Sequence, residues 1–325
     1  MTGELFAIFA VVTFVVSNIL FRKTEHEASP SFINFFRTGI GTLTFIIIAL
    51  IFEVFFHIFL LPWTIWFILI LSFVFGQVIA DTSYFKTQKE LGTAKALSIS
   101  MTFPLFTFIL SMIFLNYPFD IRIIISILLI GVGVVIIAKS KVNLEDVNVS
   151  NVDQSSISKD FSNLEIKSQT FSPVIIFGLI ASLGWAIGAV LIDYALNEID
   201  SILQIEAYSS IIGNVIRFPF SFLILALMIW REEHIQTNIE SSHRKNKSNQ
   251  MWWWLIIGSI IGTSLGAFLY TEAVRTAGAT FIAILASASP LFALPLDYLI
   301  NGEKISKKGF LGVILTIAGV IVILL

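Results

Sequence analysis

The sequence predicts an all-α integral membrane protein of ten transmembrane helices, arranged as two inverted five-helix repeats. Three observations predict it: a composition too apolar for water, ten apolar runs of bilayer length, and a second half that repeats the first. Apolar residues make up 56% of the 325 and charged residues 13%, about half the charged share of a soluble domain. Such a chain cannot cover its folded surface with polar groups, so membrane lipid is a partner from the outset. The net charge of −2 is too small to point to nucleic acid. The absence of Cys excludes a disulfide framework, a thiolate metal site and a Cys nucleophile.

A bilayer core about 30 Å thick needs roughly 20 apolar residues of helix. Runs of that size lie near Gly3–Phe21, Phe32–Phe52, Trp63–Tyr84, Ala94–Leu115 and Ile121–Ala138. The second set lies near Pro173–Leu196, Ile205–Trp230, Trp252–Val274, Ala279–Ile300 and Gly309–Leu325. The first run has no basic residue before it and lacks a small-residue cleavage pattern, so it reads as a spanning helix that stays. Residues 139–172 are rich in Ser, Asn, Asp, Glu and Lys. They bury too little apolar surface to offset their ordering entropy and read as a flexible polar linker between units 1–138 and 173–325. Residues 231–250 form a second polar loop.

The two units can be superposed by counting. Moving 76–133 forward by 186 positions places Gly76 on Gly262, Tyr84 on Tyr270, Gly92 on Gly278, Pro104 on Pro290 and Gly133 on Gly319. At an offset of 180, Asn34-x-x-Arg37 falls on Asn214-x-x-Arg217. Chance matches among apolar runs do not keep Gly, Pro and Arg in step. Because five is odd, the second unit enters the membrane upside down, the architecture that lets a central site face either side in turn. Sixteen of the 20 Lys and Arg fall in links after odd-numbered runs, and Arg122 and Arg275 fall opposite. The positive-inside rule then places those links in the cytoplasm and both termini outside.

Arg37 and Arg217 lie inside apolar runs, where insertion costs about 2.5–3.5 kcal/mol at the bilayer centre. Each is either a helix-end anchor or a counter-ion for an acidic substrate or gate. Asp81, Asp193, Glu206, Glu272 and Asp297 are the acids available to them. Asp81 and Glu272 lie late in the third and eighth runs, beside Tyr84 and Tyr270, and read as proton or cation holders or as headgroup markers. Gln77 and Trp185 offer an amide and an indole to a cavity without the penalty of charge, with core packing the commoner role for a residue such as Trp185. Pro104 and Pro290, placed mid-helix in their runs, each remove a backbone donor and predict a kink. Gly258, Gly262 and Gly266, like Gly184 and Gly188, are spaced four apart and read as helix-contact faces. Trp252, Trp253 and Trp254 read as an interfacial belt. The His residues never cluster with carboxylates at metal-ligand spacing, and there is no phosphate-cradling Gly loop with Lys and Ser/Thr. No enzyme, metal or cofactor is therefore expected.

Taken together, the chain resembles the EamA-type members of the drug/metabolite transporter superfamily. The residues that carry the resemblance are Arg37 and Arg217, the stretches Tyr84 to Gly92 and Tyr270 to Gly278, the prolines Pro104 and Pro290, and Gly302-Glu303. The first unit has Asn116-Tyr117 where the second has Gly302-Glu303. The family usually places its termini inside, opposite to the charge bias here. The resemblance implies a secondary transporter in the cytoplasmic membrane that exports a small metabolite, amino-acid-like or another small organic solute, by alternating access, with a proton as the candidate coupling ion. Its site is expected between the repeats, walled by the first, third and fourth helices of each. A nucleotide-sugar or lipid-linked phosphate carrier, with Arg37 and Arg217 on phosphate, is one alternative. A membrane scaffold without transport is another.

Overall fold

The computed structural model describes residues 3–24, 27–91, 96, 99–100, 102–140, 171–205, 208–237, 248–289, 291–292 and 307–324. The expected linker falls outside these residues except at its ends, as do Gly92, Glu206, Pro290, Asp297 and Gly302-Glu303. Among the described residues the regular structure is entirely helical.

Helix α1 (Gly3–Arg22) has Glu4 in its first turn and Arg22 in its last, the charge order that complements the helix dipole. Helix α2 (Pro30–Ile51) starts where Ser29 Oγ accepts from Phe32 N at 3.1 Å and Pro30 presets the first turn. The third apolar run is one rod in three parts: α3 (Trp63–Phe73), a π-helical segment (Val74–Asp81) and α4 (Thr82–Leu91). Helices α5 (Phe103–Phe114) and α6 (Ile121–Ser140) follow. The second half opens with α7 (Phe171–Leu203) and α8 (Ser209–Thr237). A second three-part rod comes next: α9 (Asn249–Gly258), a π-helical segment (Ser259–Leu265) and α10 (Gly266–Ala277). Helices α11 (Ala279–Ser287) and α12 (Lys307–Leu324) complete the described chain. Among the described residues, six helical stretches are long and apolar enough to cross a bilayer, and three more are apolar but shorter.

The structure departs from the sequence expectation at three places. The fourth run is broken by a turn at Thr102, so Pro104 stands in the first turn of α5 instead of mid-helix. There its missing N–H removes no intrahelical bond. Helix α7 continues to Leu203, past the expected end at Leu196, because Ile199 is fully buried and packs in the core. Helix α8 continues to Thr237, past Trp230, through residues with good helix propensity such as Arg231 and Glu232.

Small residues set many of the helix contacts, and four of the contacts run antiparallel. Gly258, Gly262 and Gly266 face Phe21, Ser17 and Thr13, so α1 lies along the second three-part rod in reverse. Gly184 and Gly188 of α7 face Phe75 and Ser72 of the first rod. Helix α2 lies against α8, with ring pairs Phe35–Phe222, Phe45–Phe218 and Phe52–Tyr208 at 4.8, 4.9 and 5.6 Å. Helices α6 and α12 meet through Gly133 against Thr316 and Gly319 against Ser126 and Ile130. The outer surface carries Leu43, Ile51, Phe56, Phe59, Phe114 and a 76% exposed Trp63, a face that only lipid can solvate.

The link between α10 and α11 shows why a glycine is needed there. Gly278 has φ +85° and ψ 156°, a region closed to residues with a Cβ. The turn lets Ala279 N donate to the Asp193 carboxylate at 2.7 Å, so Asp193 caps α11 and is not a partner for a membrane arginine. Gly278→Ala is expected to destabilise the protein by about 1–3 kcal/mol, read as a lower midpoint of thermal unfolding. An unchanged midpoint would contradict the strained geometry.

Candidate functional site

Two similar polar clusters grow from the second helix of each half. In the first, Asn34 and Arg37 are one helical turn apart on α2, and both point into the protein. Arg37 is only 6% exposed, which rules out a side chain stretched to the headgroups. Its Nε donates to Asn34 Oδ1 at 3.0 Å, and its Nη2 makes a short charged contact with Asp81 Oδ2. The other Asp81 oxygen accepts from Trp185 Nε1 on α7 at 2.7 Å. The rings of Phe85 and Phe21 lie 5.1 and 5.9 Å from the guanidinium carbon. Asn34 Nδ2 donates to the Gln77 carbonyl at 2.7 Å and to Thr82 Oγ1 at 3.0 Å. A π-helical segment shifts the backbone out of the i→i−4 register, and Gln77 sits in it. Its side chain closes the network on Asn34 Oδ1 at 3.2 Å and Thr38 Oγ1 at 3.0 Å.

The second cluster starts alike and ends differently. Asn214 and Arg217 are again one turn apart, now on α8. Arg217 Nη1 donates to Asn214 Oδ1 at 3.2 Å, and Asn214 Nδ2 donates to Thr271 Oγ1 at 3.0 Å. The guanidinium carbon stands 4.4 Å from the Phe73 ring. Arg217 is 5% exposed, yet among the described residues it meets no carboxylate and its Nε has no partner. The offset of 186 that maps Tyr84 to Tyr270 maps Asp81 to Ala267. The carboxylate that neutralises Arg37 is therefore a methyl group in the second half.

Both clusters open on one cavity of about 160 Å³, room for on the order of ten waters. Arg37, Gln77, Asp81, Trp185, Arg217 and Tyr270, all singled out from the sequence, line it. The first, third and fourth apolar runs of each half contribute to its wall, through residues such as Phe14, Gly76, Phe103, Gly188, Gly262 and Ile282. The second runs add Arg37, Asn214 and Arg217.

Tyr84 and Glu272 are placed elsewhere. Tyr84 is buried among the rings of Phe14, Phe85 and Trp185, 6.5, 5.7 and 5.3 Å away, behind the wall. Glu272 turns to Arg275, at 2.5 and 3.1 Å, and to Ser210 Oγ at 2.7 Å. Arg275 also holds Asp200 at 3.1 Å, so these groups form a separate ionic cluster. The sequence reading did not select Asn34, Asn214, Thr263 or Thr271 as site residues. The signal was present for the asparagines, each an amide one turn before a membrane arginine.

An apolar outer face around a buried, charged cavity is the arrangement of a multi-pass membrane protein with an internal chamber. The chain matches the EamA-like transporter family over residues 1–139 and 172–325, and it belongs to that family, within the drug/metabolite transporter superfamily. A relative described as an uncharacterized transporter, from Archaeoglobus fulgidus, is 22% identical over 321 residues, covering 99% of this chain and 97% of that protein. A solved crystal structure of a protein shares the fold with a TM-score of 0.67 at 15% identity, covering 98% of this chain and 95% of the other.

Proposed function

We propose that this transporter is a secondary carrier, moving a small metabolite across the cytoplasmic membrane by alternating access. The observation that carries the reading is a central cavity walled by both halves and holding three buried charged groups, Arg37, Asp81 and Arg217. A scaffold has no use for such a chamber, since each buried charge is costly in a membrane. The antiparallel contacts of α2 with α8 and of α6 with α12 support ten helices in two inverted repeats, 1–138 and 173–325. Inverted repeats rock about a central site. Export is the direction the family resemblance favours. Among the described residues Asp81 is the carboxylate that lines the cavity, and so the group through which a coupled proton passes.

The absence of cysteine makes the test direct. Thr263 lines the cavity, and among the described residues its hydroxyl has no hydrogen-bond partner, so Thr263→Cys forfeits no hydrogen bond. A membrane-impermeant maleimide is expected to label this variant in both right-side-out and inside-out vesicles. Labelling from one side only would sink alternating access. In the same vesicles, terminal tags are expected at the outer face, as the charge bias requires. Tags reachable only from the cytoplasmic face would overturn that orientation.

A further inference from the structure

The two halves are alike in their Asn-x-x-Arg pairs and unlike in how each arginine is neutralised. Arg37 has Asp81, and both oxygens of Asp81 are already engaged, one by Arg37 and one by Trp185. Arg217 has Ala267 at the matching place. Of the five N–H donors of a guanidinium, Asn214 takes one from Arg217, and Nε is left with none among the described residues. An unneutralised guanidinium in a cavity within the bilayer is unfavourable until an anion enters. Resting on the carrier reading above, we propose that the cavity binds a small organic monoanion, its carboxylate paired with Arg217 and its apolar body against the aromatic wall.

The cavity lining selects the class. A planar carboxylate accepts two parallel N–H bonds from a guanidinium. Phe14, Phe73, Phe103 and Trp185 surround the space with aromatic surface. A nucleotide sugar brings a diphosphate with at least two charges, and among the described residues the cavity lining offers it one unpaired cation. A zwitterionic amino acid brings an ammonium group as well, and among the described residues the one lining carboxylate, Asp81, is already neutralised by Arg37.

Thermal unfolding of the purified, detergent-solubilised full chain provides the test, because a ligand that binds only the folded state raises its midpoint. The probes are a series of monocarboxylates (butanoate, octanoate, benzoate and 3-phenylpropanoate), with 3-phenylpropanamide, phenylalanine, inorganic phosphate and a nucleotide sugar for comparison. At least one carboxylate is expected to give a saturable rise, with affinity about tenfold or more above that of the amide, the zwitterion and phosphate. Arg217→Gln is expected to weaken that binding by about tenfold or more, and Arg217→Lys by less. Ala267→Asp supplies the missing carboxylate from within, so it is expected to abolish the shift while melting no lower than the parent. That variant keeps the proposal open to test even if Arg217→Gln fails to fold.

Equal shifts from the amide or from phosphate, shifts that survive Ala267→Asp, or no shift from any carboxylate would each overturn the proposal. The carrier reading stands or falls separately, on labelling of Thr263→Cys from both sides.

Discussion

Asp81→Ala is expected to destabilise the protein by about 3–5 kcal/mol, the usual result of removing one partner from a buried ion pair. The variant strands Arg37, 6% exposed, with Asn34 and two aromatic rings as its remaining partners among the described residues. It also leaves the Trp185 indole N–H without its acceptor. Arg37→Met together with Asp81→Leu is expected to recover most of the loss, since apolar residues of similar volume often replace a buried pair without penalty. Thermal unfolding of the parent, Arg37→Met, Asp81→Leu and the double variant in detergent gives the coupling directly. A single-variant loss under about 1 kcal/mol would mean that water already reaches the pair.

The second large effect is steric. A Cβ on Gly188 would lie 2.7 Å from the Ser72 carbonyl oxygen and 3.0 Å from Gly76 Cα, both backbone atoms that cannot rotate aside. Gly188→Ala must therefore push α7 off the first three-part rod, a loss of about 1–3 kcal/mol. Gly188 and Gly76 both line the cavity, so the same shift reshapes the chamber. Gly131 on α6 is the control, because a Cβ there meets nothing within 4 Å. Gly131→Ala is expected to be neutral or to gain about 0.5–1 kcal/mol from helix propensity. Similar losses at both positions would show that the glycines act through the backbone alone and not through contact.

Much of this arrangement was legible in the sequence because lipid imposes simple rules. Apolar runs of bilayer length mark the helices, and the offset of 180 pairs the two Asn-x-x-Arg motifs that the structure places at the cavity. The family followed from the same residues. Glycines four apart indicated the face that α1 packs against, though not that Thr13, Ser17 and Phe21 would fill it.

What stayed hidden depends on partners distant in the chain. Arg37 and Asp81 are 44 residues apart, and no periodicity distinguishes Asp81 from Asp193, which instead caps α11. Glu272 looked equivalent to Asp81 by its position near Tyr270, but Arg275, one turn away, claims it. The π-helical segments share the composition of the α-helices around them, so nothing in Val74–Asp81 or Ser259–Leu265 announces the change of register. Pro104 suggested a mid-helix kink because the run around it is uniformly apolar, whereas the chain uses it to begin a helix.

Solute flux through the purified protein tests the central claim most directly. Liposomes containing the protein are loaded with a mixture of monocarboxylates, amino acids, cationic drugs and nucleotide sugars, and release is followed by mass spectrometry. The wild-type protein is expected to release at least one class. Ala286→Trp, which places an indole on the cavity wall, is expected to stop that release while the protein still folds. Identical release from wild-type, Ala286→Trp and protein-free liposomes would contradict a carrier working through this chamber.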